Sequence, residues 1–500
     1  MTGRARCSRD NMYDTLSLST CFDTLQDTNG DDQARAWIRK ALDAQVDLAR
    51  FAADRRGKGR ATEVVGYLKG AFNLGFRIRF EDDGPDAVIR FPKPGHISTG
   101  FLEEKLVNEV RAIEFVRHNT TIPVPFVHAW GLTHESPRQL GPFIIMDFVE
   151  GTLASRILQR PTDDDQQEPV LNPDLDSSLL DRFYRQVAGY LLQLSRLEFK
   201  RIGAISKEPG EPGAGEDRWS SSRRPLTYNM NELATSAGYP AESFPTTSFA
   251  RASDFFKSVA HEHLVHLRTQ RNLAFTPEIA RARYIARHRY LQLVDAYCSA
   301  EDDAGPFAPF CDDFRPANVL VDPDTMQITA VLDWEFTNAM PAQFSHDPPW
   351  WLLLADPGSW VDRNAVREFR ALYEPRMEQF LRMLEAVEVE AEDSEGRDAR
   401  GDRGDSDDRR PPLSARMRAS WATGRFWFNF ASRKSYDVDT IYWRVLHGGG
   451  DDAAALLEPE VRAGMEAAVE EKMAQLKEYR EECALRFPDY LASNIMAVSA

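Results

Sequence analysis

The sequence predicts an α+β chain folded as two lobes, an antiparallel β-rich N-lobe followed by a mainly helical C-lobe. Three observations predict it. Five hundred residues with 42% hydrophobic content exceed one ordinary core and suit a globular chain of two parts. Short β-branched and aromatic runs, separated by turn residues, crowd residues 60–150. Beyond residue 177, apolar side chains recur at helical spacing in one segment after another.

Residues 1–30 are polar and unpatterned. A helix is expected over 31–55, where Ala34, Trp37, Ile38, Leu42, Val46, Leu48 and Phe51 recur every three or four residues. T-E-V-V-G-Y-L, L-G-F-R-I-R-F and D-A-V-I-R-F then read as antiparallel strands joined by glycines and by D-D-G-P-D. Residues 103–118 return to helical spacing until Pro123 and Pro125. V-P-F-V-H-A-W-G and G-P-F-I-I-M-D-F complete five strands around one helix, so 31–150 forms the N-lobe with its leading helix. Residues 151–500 form the C-lobe. Loops are expected at 160–177 and 205–225. Leu179, Leu180, Phe183, Val187, Tyr190, Leu191 and Leu194 make one helical stripe. Further helices are expected near 247–271, 277–299, 362–389, 413–433 and 458–485. The low-complexity tract 392–412 has the composition of a disordered insertion.

Charge and composition narrow the function classes. A net charge of −17 argues against nucleic-acid or anionic-membrane binding, which needs a basic face. No apolar run reaches the length of a bilayer span, and no apolar stretch follows Arg4 and Arg6 as in a secretory signal. The five cysteines are scattered without C-x-x-C spacing, which points to reduced thiols and a cytoplasmic location. His261, His263 and His266 crowd one segment, but 261 and 263 cannot share a helix face. They read as surface histidines rather than a zinc site.

The chemistry is concentrated in C-D-D-F-R-P-A-N-V-L-V-D (311–322) and A-V-L-D-W-E (330–335). Asp313 precedes Asn318 by five residues, on a loop stiffened by Phe314 and Pro316. N-V-L-V-D and I-T-A-V-L-D form a hairpin that returns Asp333 beside Asn318. A carboxylate placed as base, with an amide and a second carboxylate as oxygen ligands for Mg²⁺, is the equipment of phosphoryl transfer from ATP. Either half alone is an ordinary Asp/Asn-rich turn; the two together at this spacing are not.

With these motifs the chain resembles the aminoglycoside phosphotransferase family, also called the phosphotransferase enzyme family, whose fold is protein-kinase-like. The resemblance covers roughly residues 60–360. It implies Asp313 as catalytic base and Asn318 and Asp333 as magnesium ligands. Cys311 stands where the family motif has histidine, and Asp312 where it has glycine. The histidine is a packing position, so Cys311 is expected to fill a buried slot rather than act as a redox switch. V-G-Y-L-K-G-A-F-N (65–73) is expected as a loop between two strands over the ATP phosphates, with Gly66, Gly70 and Asn73 as its contributors. D-A-V-I-R resembles the kinase strand V-A-I-K, with Arg90 in the lysine position and Glu109 as its helix partner. I-I-M-D-F-V-E-G resembles the hinge, with backbone groups at Asp147, Phe148 and Val149 reading adenine and Ile89 and Ile144 as an apolar wall. Arg315 is expected to neutralise the transferring phosphate. Segments 224–233 and 346–354 look like those of fungal members with unassigned substrates.

The resemblance implies an ATP- and Mg²⁺-dependent kinase of a hydroxyl group on a small molecule; the charge and the lack of an apolar span imply no nucleic-acid or membrane partner. It leaves protein partners open, and chemistry rather than acceptor is what such a fold licenses. A nucleotide-binding pseudokinase acting as regulator or scaffold is the alternative class; Cys311 and Asp312 speak for it and the intact Asp–Asn–Asp set speaks against it.

Overall fold

The computed structural model describes residue 18 and residues 20–488, apart from 58–59, 82–83, 163, 165–166, 210–216, 399–409 and 450–451. Most of the polar N-terminal stretch and the middle of the 392–412 tract therefore lie outside the described residues.

The N-lobe is built on an antiparallel sheet in the order β1-β2-β3-β5-β4. Its strands are β1 (Ala61–Lys69), β2 (Asn73–Phe80), β3 (Ala87–Pro92), β4 (Val127–Gly131) and β5 (Phe143–Asp147). All five match the runs expected from sequence. Alternation along β3 sends Ala87, Ile89 and Phe91 to one face and Arg90 to the other. The first face is covered by α1 (Thr24–Asp43) and α2 (Gln45–Arg56), with Trp37, Ala41, Leu48 and Ala52 packed on Phe76, Ile78, Ile89 and Phe143. The other face carries α3 (Leu102–Asn119), where Leu106 and Val110 meet Ile144.

The first helix begins earlier than its apolar period shows. Asp23 caps it, accepting from the backbone N–H groups of Leu25 and Gln26, and seven polar-rich residues precede position 31. Those turns are held from outside: Leu25 packs with Tyr479 and Cys483, and the Thr24 N–H donates to the Tyr479 hydroxyl at 2.9 Å. Gly30 allows the close crossing of the loop at Gly95, since a Cβ there would meet the Gly95 carbonyl oxygen at 2.7 Å.

The C-lobe begins with β6 (Thr152–Leu153) and α4 (Ala154–Leu158), followed by α5 (Ser177–Ser195). Residues 205–225 are not simply a loop. They contain most of β7 (Gly203–Glu208) and all of β8 (Arg218–Arg223), a hairpin whose tip is outside the described residues. Then come α6 (Tyr228–Ser236), α7 (Ala252–Thr269), α8 (Pro277–Tyr297), β9 (Ala308–Phe310), β10 (Val319–Val321), β11 (Ile328–Val331) and β12 (Asn338–Met340). Two small sheets result, β11-β10-β6 and β8-β7-β12-β9. The remainder is helical: α9 (Ala342–Ser345), α10 (Pro357–Asp362), α11 (Val366–Asp398), α12 (Leu413–Thr423), α13 (Arg425–Ser432), α14 (Val438–Ile441) and α15 (Pro459–Arg486).

Two expectations change here. Residues 392–398 continue α11 as helix, so the low-complexity tract does not start as an irregular segment. The helix expected over 413–433 is divided by Gly424, which adopts φ 76° and ends α12. The histidines are also placed differently. His261 is exposed, but His263 and His266 are fully buried and hydrogen-bonded to Ser435 and Gln270. Burial pushes the His263 imidazole down to about 3, so it is neutral in the folded chain. Among the described residues no cluster of three or more His, Cys, Asp or Glu is arranged for a metal ion, and no helix is long and apolar enough to cross a membrane.

Candidate active site

The hairpin β10–β11 does what its sequence requires. Val319 pairs with Val331, and the Leu332 N–H donates to the Asn318 carbonyl at 2.7 Å. Asn318 and Asp333 are thereby held side by side at the strand ends. Asn318 Nδ2 donates to Asp313 Oδ2 at 2.6 Å and to the Asp313 carbonyl at 3.0 Å. With its nitrogen committed, the amide leaves Oδ1 as the atom for a cation. Arg315 Nε donates to the other Asp313 oxygen at 2.5 Å. Burial raises the Asp313 carboxyl, with Arg315 and Asn318 pulling the other way.

Asp333 sits at φ 59°, in the left-handed region that side chains seldom adopt, and Phe336 follows at 58°. This turn points the Asp333 carboxylate at β3, where Arg90 Nη1 meets Oδ1 at 3.3 Å. Burial, and then the neighbouring Glu335, raise the Asp333 carboxyl, as expected for an acid in a site that calls for a positive charge. Arg90 also pairs with Glu109 of α3. The Arg–Glu pair therefore forms and is linked directly to the second aspartate.

The sequence motifs do not single out Lys105, and they give Glu335 only as the last residue of A-V-L-D-W-E, without a role. Lys105, one helical turn before Glu109, is 1% exposed and reaches Glu109 at 3.0 Å, Glu335 at 2.5 Å and Asn73 Oδ1 at 3.0 Å. Glu335 also accepts from Asn73 Nδ2 at 3.0 Å. Although burial alone would raise it, the charges of Lys105 and Arg90 hold the Glu335 carboxyl below its usual range. Asn73 thus turns its side chain inward, tying the start of β2 to the segment after Asp333. Its i,i+4 spacing to Glu109 is the one hint that Lys105 offered.

The glycine segment and the hinge need correction. Gly66 is not in a loop; it lies within β1, beside a register shift between Val64 and Gly66, and the turn proper is 70–72. The Gly70 N–H closes that turn on the Asn73 carbonyl at 3.0 Å. Phe72 at its tip packs edge-on against Tyr228 and Phe336, with ring centroids 5.7 and 6.2 Å away. At the hinge, the Asp147 N–H already donates to the Phe126 carbonyl and the Phe148 N–H to the Asp86 carbonyl. Both N–H groups are thus spent, and of the three the Val149 N–H is the one without a backbone partner among the described residues. Ile89 cannot wall the nucleotide side, because alternation places it under α1 and α2, opposite Arg90.

Cys311 is half-buried, and its thiol is directed at the Asp333 carbonyl at 3.9 Å. Burial raises its pKa, with Asp313 and Asp333 adding to the effect, so the thiolate that a redox switch needs is disfavoured. Asp312 in the glycine position is paired with Arg433, and its carbonyl accepts from Trp350 Nε1 at 3.1 Å.

A pocket of about 240 Å³ in the C-lobe is lined by Glu232, Asp356, Asp362 and Asp437 together with Lys434. Tyr228 links this pocket to the catalytic loop: its hydroxyl donates to Glu232 at 3.1 Å, and the charges of Asp313 and Asp312 act on it. Burial pushes the Glu232 carboxyl up to about 7.

Fold and site together define a two-lobed, kinase-like phosphotransferase class. The model of the phosphotransferase enzyme family matches residues 63–384, and the chain belongs to that family. It is 25% identical over 185 residues to a subtelomeric hrmA-associated cluster protein of Aspergillus fumigatus, covering 37% of this chain and 35% of that protein. It is 31% identical over 134 residues to the altered inheritance of mitochondria protein 9 of Zygosaccharomyces rouxii, covering 25% of this chain and 20% of that one. The chain thus spans about a third or less of these relatives. Among solved structures, a thermostable mutant of aminoglycoside phosphotransferase APH(4)-Ia in ternary complex with ADP and hygromycin B aligns at TM-score 0.39 and 14% identity, over 81% of this chain and 99% of that one. An ethanolamine kinase of Plasmodium vivax aligns at TM-score 0.31 and 10% identity, over 83% and 81%.

Proposed function

We propose that this protein transfers the γ-phosphoryl group of ATP to a hydroxyl group of a small molecule. The observation that carries the reading is the convergence of Asp313, Asn318, Asp333 and Arg90 on one another, with Asn318 2.6 Å from Asp313 and Asp333 3.3 Å from Arg90. Asp313 accepts the acceptor's proton or orients its hydroxyl, and Arg90 holds the phosphates while Glu109 fixes its direction. The Val149 N–H reads adenine, and Gly66 and Gly70 admit the phosphate chain.

Asn318 Oδ1 and the Asp333 carboxylate are hard oxygen donors and fit Mg²⁺, which takes one or two protein ligands and completes its shell with phosphate oxygens and water. When bound, the ion would neutralise charge on the transferring group. Arg315, now paired to Asp313, lies on the same loop and can exchange that carboxylate for a phosphate oxygen.

The acidic pocket beside Tyr228 favours an acceptor that carries positive charge, such as an aminosugar or amino alcohol. A nucleotide-binding pseudokinase remains the contrasting class, since Arg315 and Asn318 each engage one oxygen of the base. An ATP-consumption screen over aminoglycosides, amino alcohols and sugars decides between them. Acceptor-dependent consumption abolished by Asp313→Ala is the expected result. Equal consumption by parent and variant, or ATP binding with no turnover on any acceptor, sinks the catalytic reading.

A further inference from the structure

The turn at 70–72 is held by the loop that follows β3, residues 93–98. The Lys93 N–H donates to the Phe72 carbonyl at 2.7 Å, and His96 Nδ1 meets the Ala71 carbonyl at 2.8 Å. The Ala71 and Phe72 carbonyls are thereby spent on the loop. A trans peptide unit points its N–H opposite to its C=O, so the hold on the Ala71 carbonyl aims the Phe72 N–H away from His96. The N–H groups of Ala71 and Phe72 have no hydrogen-bond partner among the described residues. Unspent backbone N–H groups in a turn are the kind that cradle phosphate oxygens. The loop is itself anchored on two sides. Asn231 of α6 donates from Nδ2 to the His96 carbonyl and accepts at Oδ1 from the Ser98 N–H, each at 3.0 Å. On the other side Gly95 touches Gly30 of α1 backbone to backbone, with no room for a Cβ on either.

The second nitrogen of the same ring, Nε2, meets Asp31 Oδ1 of α1 at 2.9 Å. One imidazole therefore faces two acceptors, a carbonyl and a carboxylate. A neutral ring carries one N–H and donates to one of them; an imidazolium donates to both. In the neutral ring, a proton on Nε2 leaves the Ala71 carbonyl without a donor. A proton on Nδ1 instead sets the Nε2 lone pair against the Asp31 carboxylate. The charged groups around the ring lie on two elements. On α1, Asp31 is also paired with Arg35 at 3.7 Å, and His96 acts on Asp27. On its own loop, Lys93 answers to Asp31 as well. Asn231 on α6 and Ala71 in the turn present neutral groups.

We propose that His96 is a positioning residue for the nucleotide phosphates. As imidazolium it ties the 70–72 turn to α1, so nucleotide affinity rises as pH falls through the range in which imidazoles take up a proton. The inference rests on the phosphotransferase reading of this turn. Titration calorimetry of the full chain with AMP-PNP and Mg²⁺, and separately with adenosine, at pH 6 and pH 8 tests it. The gain in AMP-PNP affinity from pH 8 to pH 6 is expected to be about fivefold larger in the parent than in His96→Ala, a comparison that cancels the ligand's own titration. Adenosine, which has no phosphate, is expected to bind alike in both proteins at both pH values. Asp31→Asn offers an amide that serves either form of the ring. It is expected to keep the parent's AMP-PNP affinity at pH 6 and to show the smaller pH gain of His96→Ala. Equal pH gains in parent and His96→Ala, an effect of the same size on adenosine, or the parent's full pH gain in Asp31→Asn overturns the role of His96 and leaves the phosphotransferase reading standing. No AMP-PNP binding by the parent at either pH sinks both.

Discussion

Asp313 is held by its own loop, with both carboxylate oxygens and its carbonyl engaged within five residues of sequence. This local wiring is why the position could be read directly from the chain. Asp313→Ala is expected to lower kcat by about 10²- to 10⁴-fold, the usual contribution of a positioned base, while ATP affinity by calorimetry stays near the parent value. Lys105 is the opposite case. Its partner Asn73 lies 32 positions before it, and Asn73 in turn bonds Glu335 across 262 positions, so no linear motif joins them. Lys105→Met leaves the buried Glu335 carboxylate without its ion-pair partner, while Glu109 keeps Arg90, and unfolding in urea is expected to show a loss of about 3–5 kcal/mol. A loss under 1 kcal/mol would mean that the cluster is not ion-paired in solution.

At the scale of elements, β1 carries Gly66 at a register shift where an added Cβ would meet nothing within 4 Å. The glycine is therefore not demanded by packing. Gly66→Val is expected to leave the melting temperature within a degree or two and to raise KM for ATP several-fold, with little change in kcat; an unchanged KM would place the nucleotide elsewhere. The five N-lobe strands were legible because each alternates or is solidly apolar between turn residues. The β7–β8 hairpin was not, because R-W-S-S-S-R buries little apolar surface. It is held by backbone pairing and hydroxyls, with Ser206 to Ser220 at 2.9 Å and Ser220 to Glu208 at 2.6 Å. The first two turns of α1 were missed for a related reason: their burial is provided by α15, more than 450 residues away.

For the whole molecule, α1 acts as a tie, with Leu25 on the C-lobe helix α15 and Trp37 on the N-lobe sheet. The C-lobe core also buries acids at a cost that depends on pH. Burial pushes Glu262 up to about 8, with only the Asn229 amide opposing. A carboxyl raised in the folded state costs nothing below its unfolded value of about 4.5 and progressively more as pH rises toward 8. Glu262→Gln is therefore expected to match the parent in urea midpoint near pH 4.5 and to exceed it at pH 8; identical midpoints at both would refute the buried charge. The sequence by itself determined the lobe order, the five-stranded sheet and the Asp–Asn–Asp set, because each rests on contacts within a few residues or on a period of two or 3.6. The tertiary structure alone decided that Asn73 faces inward, that the Val149 N–H is left unspent, that His263 and His266 are buried, and that Lys105 joins Glu335. Those outcomes depend on which surfaces meet across hundreds of residues, and burial and charge compensation are properties of the meeting rather than of either segment.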